Sequence, residues 1–308
     1  TWCLVGSEMC IRDRLITDPE QIKEVSLQHN LKILTKEKPR EQDKEEIKAK
    51  KANHDEIMKK NNKVWDLTYQ HFSSVTAQIK KKGKKMFNPL NKAGEKYKWS
   101  IFKYMKRIIQ TEEVPDAFND TKLTAVYKGK GSRLDLNMMR FIHGRDWRSR
   151  LCDKIVTDKM KPDIVKACPN IQLGGIPEAS SDDHLITLKQ TMKNKEERKE
   201  GLIVNTYDMK KFFDKEDLTD ALYTLNKVAK VDDQSYRIWY KMNQDTRISV
   251  KTSVGLSRSA NVKDSLGQGS MGAALVSTIN IGNAVQETFK EPSTEIGDLK
   301  LNSLISAN

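Results

Sequence analysis

The chain has 308 residues, of which 37% are hydrophobic and 31% are charged, a polar composition that still allows a core in one large or two ordinary domains. The 55 Lys and Arg exceed the 42 Asp and Glu, giving a net charge of +13. This balance favours a polyanionic partner such as nucleic acid, although a soluble protein with one basic face would show the same excess.

The cysteines and the uncharged stretches exclude several classes of protein. The four cysteines, at positions 3, 10, 152 and 168, form no CxxC pair, so neither a zinc site nor a disulfide framework is predicted. A reducing, intracellular location in nucleus and cytoplasm is expected. The longest uncharged run, Ser265–Gln286, includes four Gly and lacks the apolar density of a spanning helix, so no membrane partner is expected.

The N-terminal region is predicted to be basic and helical. Residues 31–110 hold 22 Lys and Arg against 9 Asp and Glu, so this stretch supplies the whole net charge. Residues 15–64 have few apolar positions, which favours exposed helix. The basic loop 80–85 either contacts phosphates or is a solvated linker. Residues 1–14 resemble the translation of a sequencing adapter rather than a folded segment, the alternative being a genuine N-terminus.

Residues 95–110 are predicted to form an amphipathic helix, because apolar residues recur at helical spacing. The two adjoining stripes are Tyr97, Ile101, Tyr104 and Ile108, and Trp99, Phe102, Met105 and Ile109. Core packing is the expected use of these aromatic rings. The alternative is that the rings stack on bases beside the neighbouring Lys residues.

Strands and helices then alternate along the chain. The predicted elements are a strand at Leu123–Tyr127, a turn with two cations at Lys128–Ser132, helices at 146–160 and 182–192, a buried strand from Leu202 to Asp208, and a strand at 247–254. Asp214 is predicted to cap a further helix, with Asp217 completing a capping box and Leu218, Leu222, Leu225 and Val228 forming its core face. This order indicates an α+β or α/β layered fold.

Asp208 is the first candidate for chemistry, because it ends the predicted buried strand where the chain turns into a helix. Ligands and ions gather at this end of an open sheet. A carboxylate there can hold Mg²⁺, which prefers oxygen ligands and phosphate partners. Taken alone, an Asp that simply caps the turn is the favoured interpretation.

The second candidate is the Gly-rich turn at residues 264–275, where the backbone can approach a ligand closely. The turn also matches the pattern G-x-G-x-x-G, with Glu287 twenty residues after Gly267. A dinucleotide-binding site requires a hydrophobic strand before this pattern and a βαβ unit after it. Because Ser259–Ser265 is polar and charged and 36 residues follow Gly272, that interpretation is disfavoured.

Four segments in order resemble reverse transcriptases of non-LTR (LINE-like) retrotransposons. Leu123–Gly131 with Asn137–Ile142 resembles the fingers pattern of a lysine-rich turn followed by an Asn-x-Arg-x-Ile type segment. Ile171–Pro177, with Asp183-His184-Leu185 behind it, resembles the family's Gln-Phe-Gly-containing stretch. Asp208–Asp214 resembles motif A and Gly267–Gly269 resembles motif B. The resemblance covers roughly residues 95–290.

The resemblance implies a partial right-hand polymerase. Residues 15–94 would form a basic helical extension, 95–200 the fingers, and 201–308 a palm truncated before motif C. The implied activity is RNA-directed DNA synthesis, with an RNA template, a DNA primer or nicked target, dNTP and two Mg²⁺ ions. The implied site residues are Asp208 for the metal, Phe213 to exclude a ribose 2′-OH, Gln268 and Gly269 for the dNTP pocket, and Arg140 with Lys128 or Lys130 for the triphosphate.

The sequence also departs from the family pattern. Met138-Met139 and Phe141 stand where many relatives have Tyr and Pro around the Arg. Motif C requires an Asp pair after motif B, and residues 287–308 contain none. Alternatives are a non-catalytic nucleic-acid-binding protein derived from a reverse transcriptase, a group II intron maturase-like or telomerase-like protein, and a dinucleotide enzyme. Without the family context, Arg140 would be interpreted as a surface salt-bridge residue.

We predict that the chain as printed has no polymerase activity of its own. One carboxylate, Asp208, does not hold two Mg²⁺ ions against their hydration. The measurement is primer extension on an RNA template with Mg²⁺ and all four dNTPs. Clear nucleotide incorporation would refute the prediction.

Overall fold

The fold is α+β and mostly helical. A computed structural model describes residues 9–11, 14–35, 44–81, 88–169, 172, 174, 176, 179–204, 216–263 and 272–288. The strands are β1 (Met9–Ile11), β2 (Arg14–Ile16), β3 (Asp120–Tyr127), β4 (Met139–Arg145), β5 (Thr246–Thr252), β6 (Gly255–Leu256) and β7 (Ala260–Val262). The helices are α1 (Pro19–Leu34), α2 (Lys44–Lys59), α3 (Tyr69–Lys81), α4 (Asn88–Asn91), α5 (Glu95–Thr111), α6 (Trp147–Ala167), α7 (Ser181–Glu197), α8 (Leu218–Lys227), α9 (Asp233–Asn243) and α10 (Ala273–Thr288).

A mixed sheet has the strand order β4-β3-β5-β6, and β7 also pairs with β5. β3 and β4 form an antiparallel hairpin in which Val126 is opposite Arg140. β3 and β5 are parallel, with Leu123 opposite Val250. Because side chains alternate between the two faces of a strand, this register gives the sheet one apolar face and one polar face. The strands predicted at Leu123–Tyr127 and 247–254 are therefore confirmed.

Helix α1 covers the apolar face of the sheet. Ile22 and Leu27 on α1 are fully buried with Leu123 and Val250 of the sheet. Burying a side chain of this kind contributes roughly 1.5–3 kcal/mol. Residues 15–64 are thus mainly helical as predicted, but the expectation of an exposed segment is wrong for α1. β1 and β2 pair with each other, and the adapter interpretation of residues 1–14 stays a prediction.

Helix α5 is confirmed, and its predicted core stripes are only partly buried. The residues that enter the main helical core are Ile101, Phe102, Met105, Ile108 and Ile109. Tyr97, Trp99 and Tyr104 are 44%, 45% and 36% exposed. The prediction of core packing is therefore wrong for Tyr97, whereas Trp99 and Tyr104 are partly exposed and still pack against the buried rings of Phe102 and Phe118.

The remaining predicted elements are helices α6, α7 and α8, which are present, and a buried strand from Leu202, which is not present at residues 202–204. The helices predicted at 146–160 and 182–192 are confirmed as α6 and α7. Helix α8 begins after Asp217, whose carboxylate accepts from the backbone N–H of Thr219; Asp214 lies outside the described residues. The buried strand predicted from Leu202 is not present at residues 202–204, which have no strand pairing and are 40–68% exposed. The rest of that prediction falls outside the described residues.

A buried ion pair connects three segments of the helical layer. Arg237 on α9 donates through Nε and Nη2 to the two carboxylate oxygens of Glu112, both at 2.7 Å. It also donates to the backbone and side-chain oxygens of Asn62. The hydrogen bonds to Glu112 raise the pKa of Arg237. Since Arg237 is 2% exposed, these acceptors replace the water that its charge would otherwise need.

We predict that Glu112→Gln destabilises the protein by about 3 kcal/mol or more, because it leaves a buried guanidinium without its counter-charge. Urea denaturation followed by circular dichroism measures the free energy of unfolding. The control is Glu95→Gln, which removes the exposed partner of Lys98 and should change stability little. Equal effects of the two substitutions would contradict the importance of the buried pair.

Candidate functional site

The predicted site residues fall into two groups. Asp208, Phe213, Gln268 and Gly269 lie outside the described residues. The three basic candidates, Lys128, Lys130 and Arg140, lie on the β3–β4 hairpin. For the first group, the described residues that precede or follow each of these positions show which other parts of the chain they contact.

The tip of the hairpin is held by its own polar contacts. The Lys128 ammonium donates to the backbone oxygen of Asn137 at 2.6 Å. The Tyr127 hydroxyl donates to the backbone oxygen of Gly131 at 2.5 Å. Gly131 has a φ of +73°, and a Cβ there would meet the Met138 sulfur at 2.7 Å, so the loop requires glycine. Lys130 is exposed, which makes it the better placed of the two lysines for a ligand.

The polar face of the sheet carries three exposed cations, Lys122 on β3, Arg140 on β4 and Lys251 on β5. Adjacent strands lie about 4.8 Å apart and alternate residues about 6.6 Å apart, so the cations occupy successive rows of one surface. Among the described residues none of the three forms an ion pair, whereas Arg247 at the edge pairs with Asp120. Such a face suits a run of phosphates.

A residue that follows Asp208 is in contact with α10, the helix that follows Gln268. Glu216 lies eight residues after Asp208, and α10 begins five residues after Gln268. The Ser277 hydroxyl on α10 donates to one carboxylate oxygen of Glu216. The Asn280 amide donates to the other at 3.1 Å. The segment that follows Asp208 and the helix that follows the Gly-rich turn are thus hydrogen-bonded to each other.

Burial sets the charge state of this junction. Glu216 is 6% exposed, and desolvation raises its pKa to about 7, against the opposing effect of the hydrogen bonds from Ser277 and Asn280. Both carboxylate oxygens accept hydrogen bonds from α10, so Glu216 connects the segment after Asp208 to that helix.

The start of α10 is fixed by a close approach to two other helices. The backbone N–H of Gly272 donates to the buried carboxylate of Asp153 on α6 at 3.3 Å. A Cβ at position 272 would lie 2.5 Å from Thr157 Oγ1 and 2.9 Å from Trp239 Nε1. These contacts leave no room for a side chain. The third Gly of the predicted G-x-G-x-x-G turn is therefore required by packing against α6 and α9.

The Gln-Phe-Gly-like stretch also contacts α10. The amide nitrogen of Gln172 lies 3.4 Å from the backbone oxygen of Thr278, and the Thr278 hydroxyl donates to the backbone oxygen of Gly174 at 3.1 Å. A Cβ at Gly282 would meet the ring of Pro169 at 3.0 Å. Of the four segments that resemble the polymerase family, Ile171–Pro177 is thus the one whose described residues, Gln172 and Gly174, contact α10.

The hairpin connects to this region through its base. Arg145 at the end of β4 is buried and donates to the backbone oxygen of Met242 on α9 at 2.9 Å. Burial lowers the pKa of Arg145, and the charge of Asp153 partly opposes that effect. Arg140 is five residues earlier on the strand, about 17 Å away at 3.3 Å per residue. Arg140 thus lies toward the tip of the hairpin, whereas Lys122, opposite Gly144, lies near the base and the α9 contact of Arg145.

Sequence reasoning missed Glu216 and Asp153. Glu216 is surrounded by Asp214, Lys215 and Asp217 and resembles part of a helix cap. Asp153 lies inside a helix with no motif around it. For Asp153 a weak signal was a carboxylate in a stretch that also carries Leu151, Cys152 and Ile155, since a buried carboxylate must find partners; Glu216 had no such signal.

In the part of the chain that the structure describes, no group of three or more His, Cys, Asp and Glu could hold a metal ion. None of the described helices is long and apolar enough to cross a membrane. No protein-family model matches the chain. No curated protein matches its sequence.

We predict a pH dependence of stability that originates at Glu216. Because the folded pKa of about 7 exceeds the ordinary value of 4.5, the folded state holds this proton more tightly than the unfolded state. Its contribution to stability is full below pH 4.5 and falls as the pH rises to about 7, by roughly 3 kcal/mol in total. Glu216→Gln should lose this component.

The measurement is urea denaturation of both proteins at pH 5 and pH 8. The difference in unfolding free energy between Glu216→Gln and the original chain should shift in favour of the variant at pH 8. Other titrating groups cancel in this comparison. An equal difference at the two pH values would exclude a raised pKa at Glu216.

Proposed function

We propose that the chain is the fingers and part of the palm of an RNA-directed DNA polymerase of the non-LTR retrotransposon kind; the intact enzyme would act on an RNA template, a DNA primer and dNTP, and the chain by itself would be inactive. The observation that carries the proposal is the junction at α10. Glu216, Ser277 and Asn280 join the chain just after Asp208 to the helix just after the Gln268 turn. A metal ligand and a nucleotide pocket require those two segments to be neighbours.

The donor set fits part of a polymerase metal site. Asp208 is the residue that would hold Mg²⁺, together with phosphate oxygens of the dNTP. Glu216 is not a second ligand, because Ser277 and Asn280 use its oxygens. Mg²⁺ supplies charge neutralisation on the phosphates when it is bound. The chain's own residues would position the nucleotide, with Gln268 and Gly269 lining the pocket and Phe213 excluding a ribose 2′-OH.

The basic face of the sheet supports the nucleic-acid half of the proposal. Lys122, Arg140 and Lys251 present three cations without ion-pair partners among the described residues. Phosphate contacts of this kind supply affinity and positioning without reading sequence. Lys130 on the exposed hairpin tip adds a mobile ammonium that would reach a triphosphate or a strand. This distribution suits a protein whose ligands are all polyanions.

The basic face favours nucleic-acid binding whether or not the chain catalyses, so a non-catalytic protein derived from a reverse transcriptase is the second candidate. The maturase-like alternative shares the same pocket. Occupation of the pocket by a metal and a dNTP therefore distinguishes an enzyme from a binding protein.

We predict that Fe²⁺, bound in place of Mg²⁺ in the presence of dNTP, cleaves the backbone near both Asp208 and Gln268. With ascorbate and peroxide, a bound iron generates hydroxyl radicals that cut the chain next to the ion. Mass spectrometry of the fragments locates the cuts. Paired cuts are expected because the flanks of the two segments are hydrogen-bonded at α10.

Asp208→Asn should remove both cuts, because it removes the carboxylate ligand. The matched control is Asp214→Asn, an acid six residues further on in the same segment, which should leave them in place. Cuts at only one of the two segments would show that they do not share a pocket and would overturn the polymerase proposal. Cuts unaffected by dNTP and by Asp208→Asn would count against it equally.

A further inference from the structure

We infer that the outward edge of α5, formed by Tyr97 and Tyr104 with Arg107 beside them, is a stacking surface for single-stranded nucleic acid. The inference deepens the nucleic-acid half of the proposed function. It concerns a surface separate from both the hairpin cations and the α10 junction. The starting observation is that these two tyrosines, like Trp99, remain exposed on a helix whose aliphatic residues and Phe102 are buried.

The spacing of the rings fits a nucleotide strand. Tyr97 and Tyr104 are seven residues apart, which places them on the same edge of α5 and about 10.5 Å apart along its axis. Neither hydroxyl forms a hydrogen bond with another described residue, and both rings are more than a third exposed. Bases stack on exposed aromatic faces regardless of sequence, because every base has a π-face. Two rings at this separation would hold two bases of one strand.

The charges beside the rings are complementary to a phosphate backbone. Lys96, Lys103 and Arg107 are exposed on the adjoining side of α5 and have no ion pair among the described residues. On the other side, both phenols act electrostatically on Arg148 at the start of α6, although Asp146 already pairs with that guanidinium. Cations without ion-pair partners among the described residues thus lie along one side of the rings, a combination that suits single-strand binding.

A shallow cavity of about 320 Å³ lies at the C-terminal end of this edge. Tyr104, Val114 and Pro115 line it together with Arg107 and Glu113. Tyr104 is held in place by an edge-on contact with Phe118 at 6.3 Å between ring centroids. An opening lined by an aromatic ring and an arginine suits a nucleobase whose phosphate faces the guanidinium.

A duplex would not use this surface in the same way, because its bases are stacked on each other and their faces are not available. The partner is therefore an unpaired strand, RNA or DNA, rather than a double helix. The polar face of the sheet carries the cations Lys122, Arg140 and Lys251 and has no exposed aromatic rings among the described residues. It is therefore not expected to prefer a single strand over a duplex.

The test is fluorescence anisotropy with fluorescein-labelled 15-nucleotide oligo(dT), oligo(U) and a duplex of the same length, across a series of salt concentrations. Tyr97→Leu with Tyr104→Leu should weaken binding of both single strands about tenfold to a hundredfold, without changing the slope of log affinity against log salt. Tyr97→Phe with Tyr104→Phe should bind within about twofold of the original chain, because the ring and not the hydroxyl makes the contact.

Arg107→Gln should lower the salt slope by about 0.7, since it removes one phosphate contact to a single strand. The matched aromatic control is Tyr223→Leu on α8, a partly exposed tyrosine beside Lys50, which should leave affinity unchanged. Thermal melting followed by circular dichroism checks folding. If the double Leu variant does not fold, Tyr97→Leu alone decides, because no described aromatic ring contacts that side chain.

Unchanged single-strand affinity in the Leu variants would overturn the inference, and so would equal losses for strand and duplex or no binding by the original chain. The iron-cleavage experiment on Asp208 is independent of these tyrosines. If the tyrosine variants bind single strands normally but iron cuts both segments, the polymerase proposal still holds. If the tyrosine variants lose single-strand binding but iron does not cut both segments, the protein has a single-strand-binding surface and no nucleotide pocket.

Discussion

The arrangement of the helical layer depends on one buried guanidinium. Arg237 on α9 binds Glu112 at the end of α5 and Asn62 in the loop after α2, so it joins residues that are far apart in the chain. Glu112 adopts a left-handed backbone conformation with a φ of 55°, which is strained for a residue with a Cβ. The ion pair between the Glu112 carboxylate and the buried Arg237 guanidinium offsets this strain. Gln234, one turn earlier on α9, also joins distant segments. Its side-chain oxygen accepts from the backbone N–H groups of Val64 and Trp65, and its amide nitrogen donates to the backbone oxygen of Ile109.

The same helix then determines where the candidate site lies. The C-terminal half of α9 offers the backbone oxygen of Met242 to Arg145, which fixes the base of the β3–β4 hairpin. Trp239 Nε1 lies 2.9 Å from the position that a Cβ on Gly272 would take, so it helps to exclude a side chain just before α10. One side of α9 therefore contacts Asn62 and Glu112, and its C-terminal half contacts the base of the hairpin and Gly272.

The sequence predicts the periodic parts of this structure and not the contacts between them. Helices α5, α6 and α8 and strands β3 and β5 follow from the spacing of apolar residues. The exposure of Tyr97 and Tyr104 does not, because it depends on how α5 is rotated against its neighbours, and the apolar edge at Ile101 and Ile108 lies next to both rings. The pairing of Glu112 with Arg237, 125 residues apart, has no local signature. The exposure of residues 202–204 was also unpredictable from a hydrophobic run, since burial requires partner strands.

The buried hydrogen bonds of Glu216 with Ser277 and Asn280 fix how α10 lies against its neighbours, and they lower the stability of the fold relative to an apolar contact. Burying Glu216 with Ser277 and Asn280 forgoes the stabilisation that apolar side chains would give there. In return, Asn280 also accepts from the Thr224 hydroxyl on α8 at 2.9 Å, so α10 is tied both to α8 and to the segment before it. A slide of α10 by one turn, about 5.4 Å, would break all of these bonds, whereas an apolar contact would tolerate smaller slips. The bonds therefore fix the position of Glu216 relative to α10. The proposed pocket, with a metal ligand eight residues before Glu216 and a nucleotide contact five residues before α10, depends on that position.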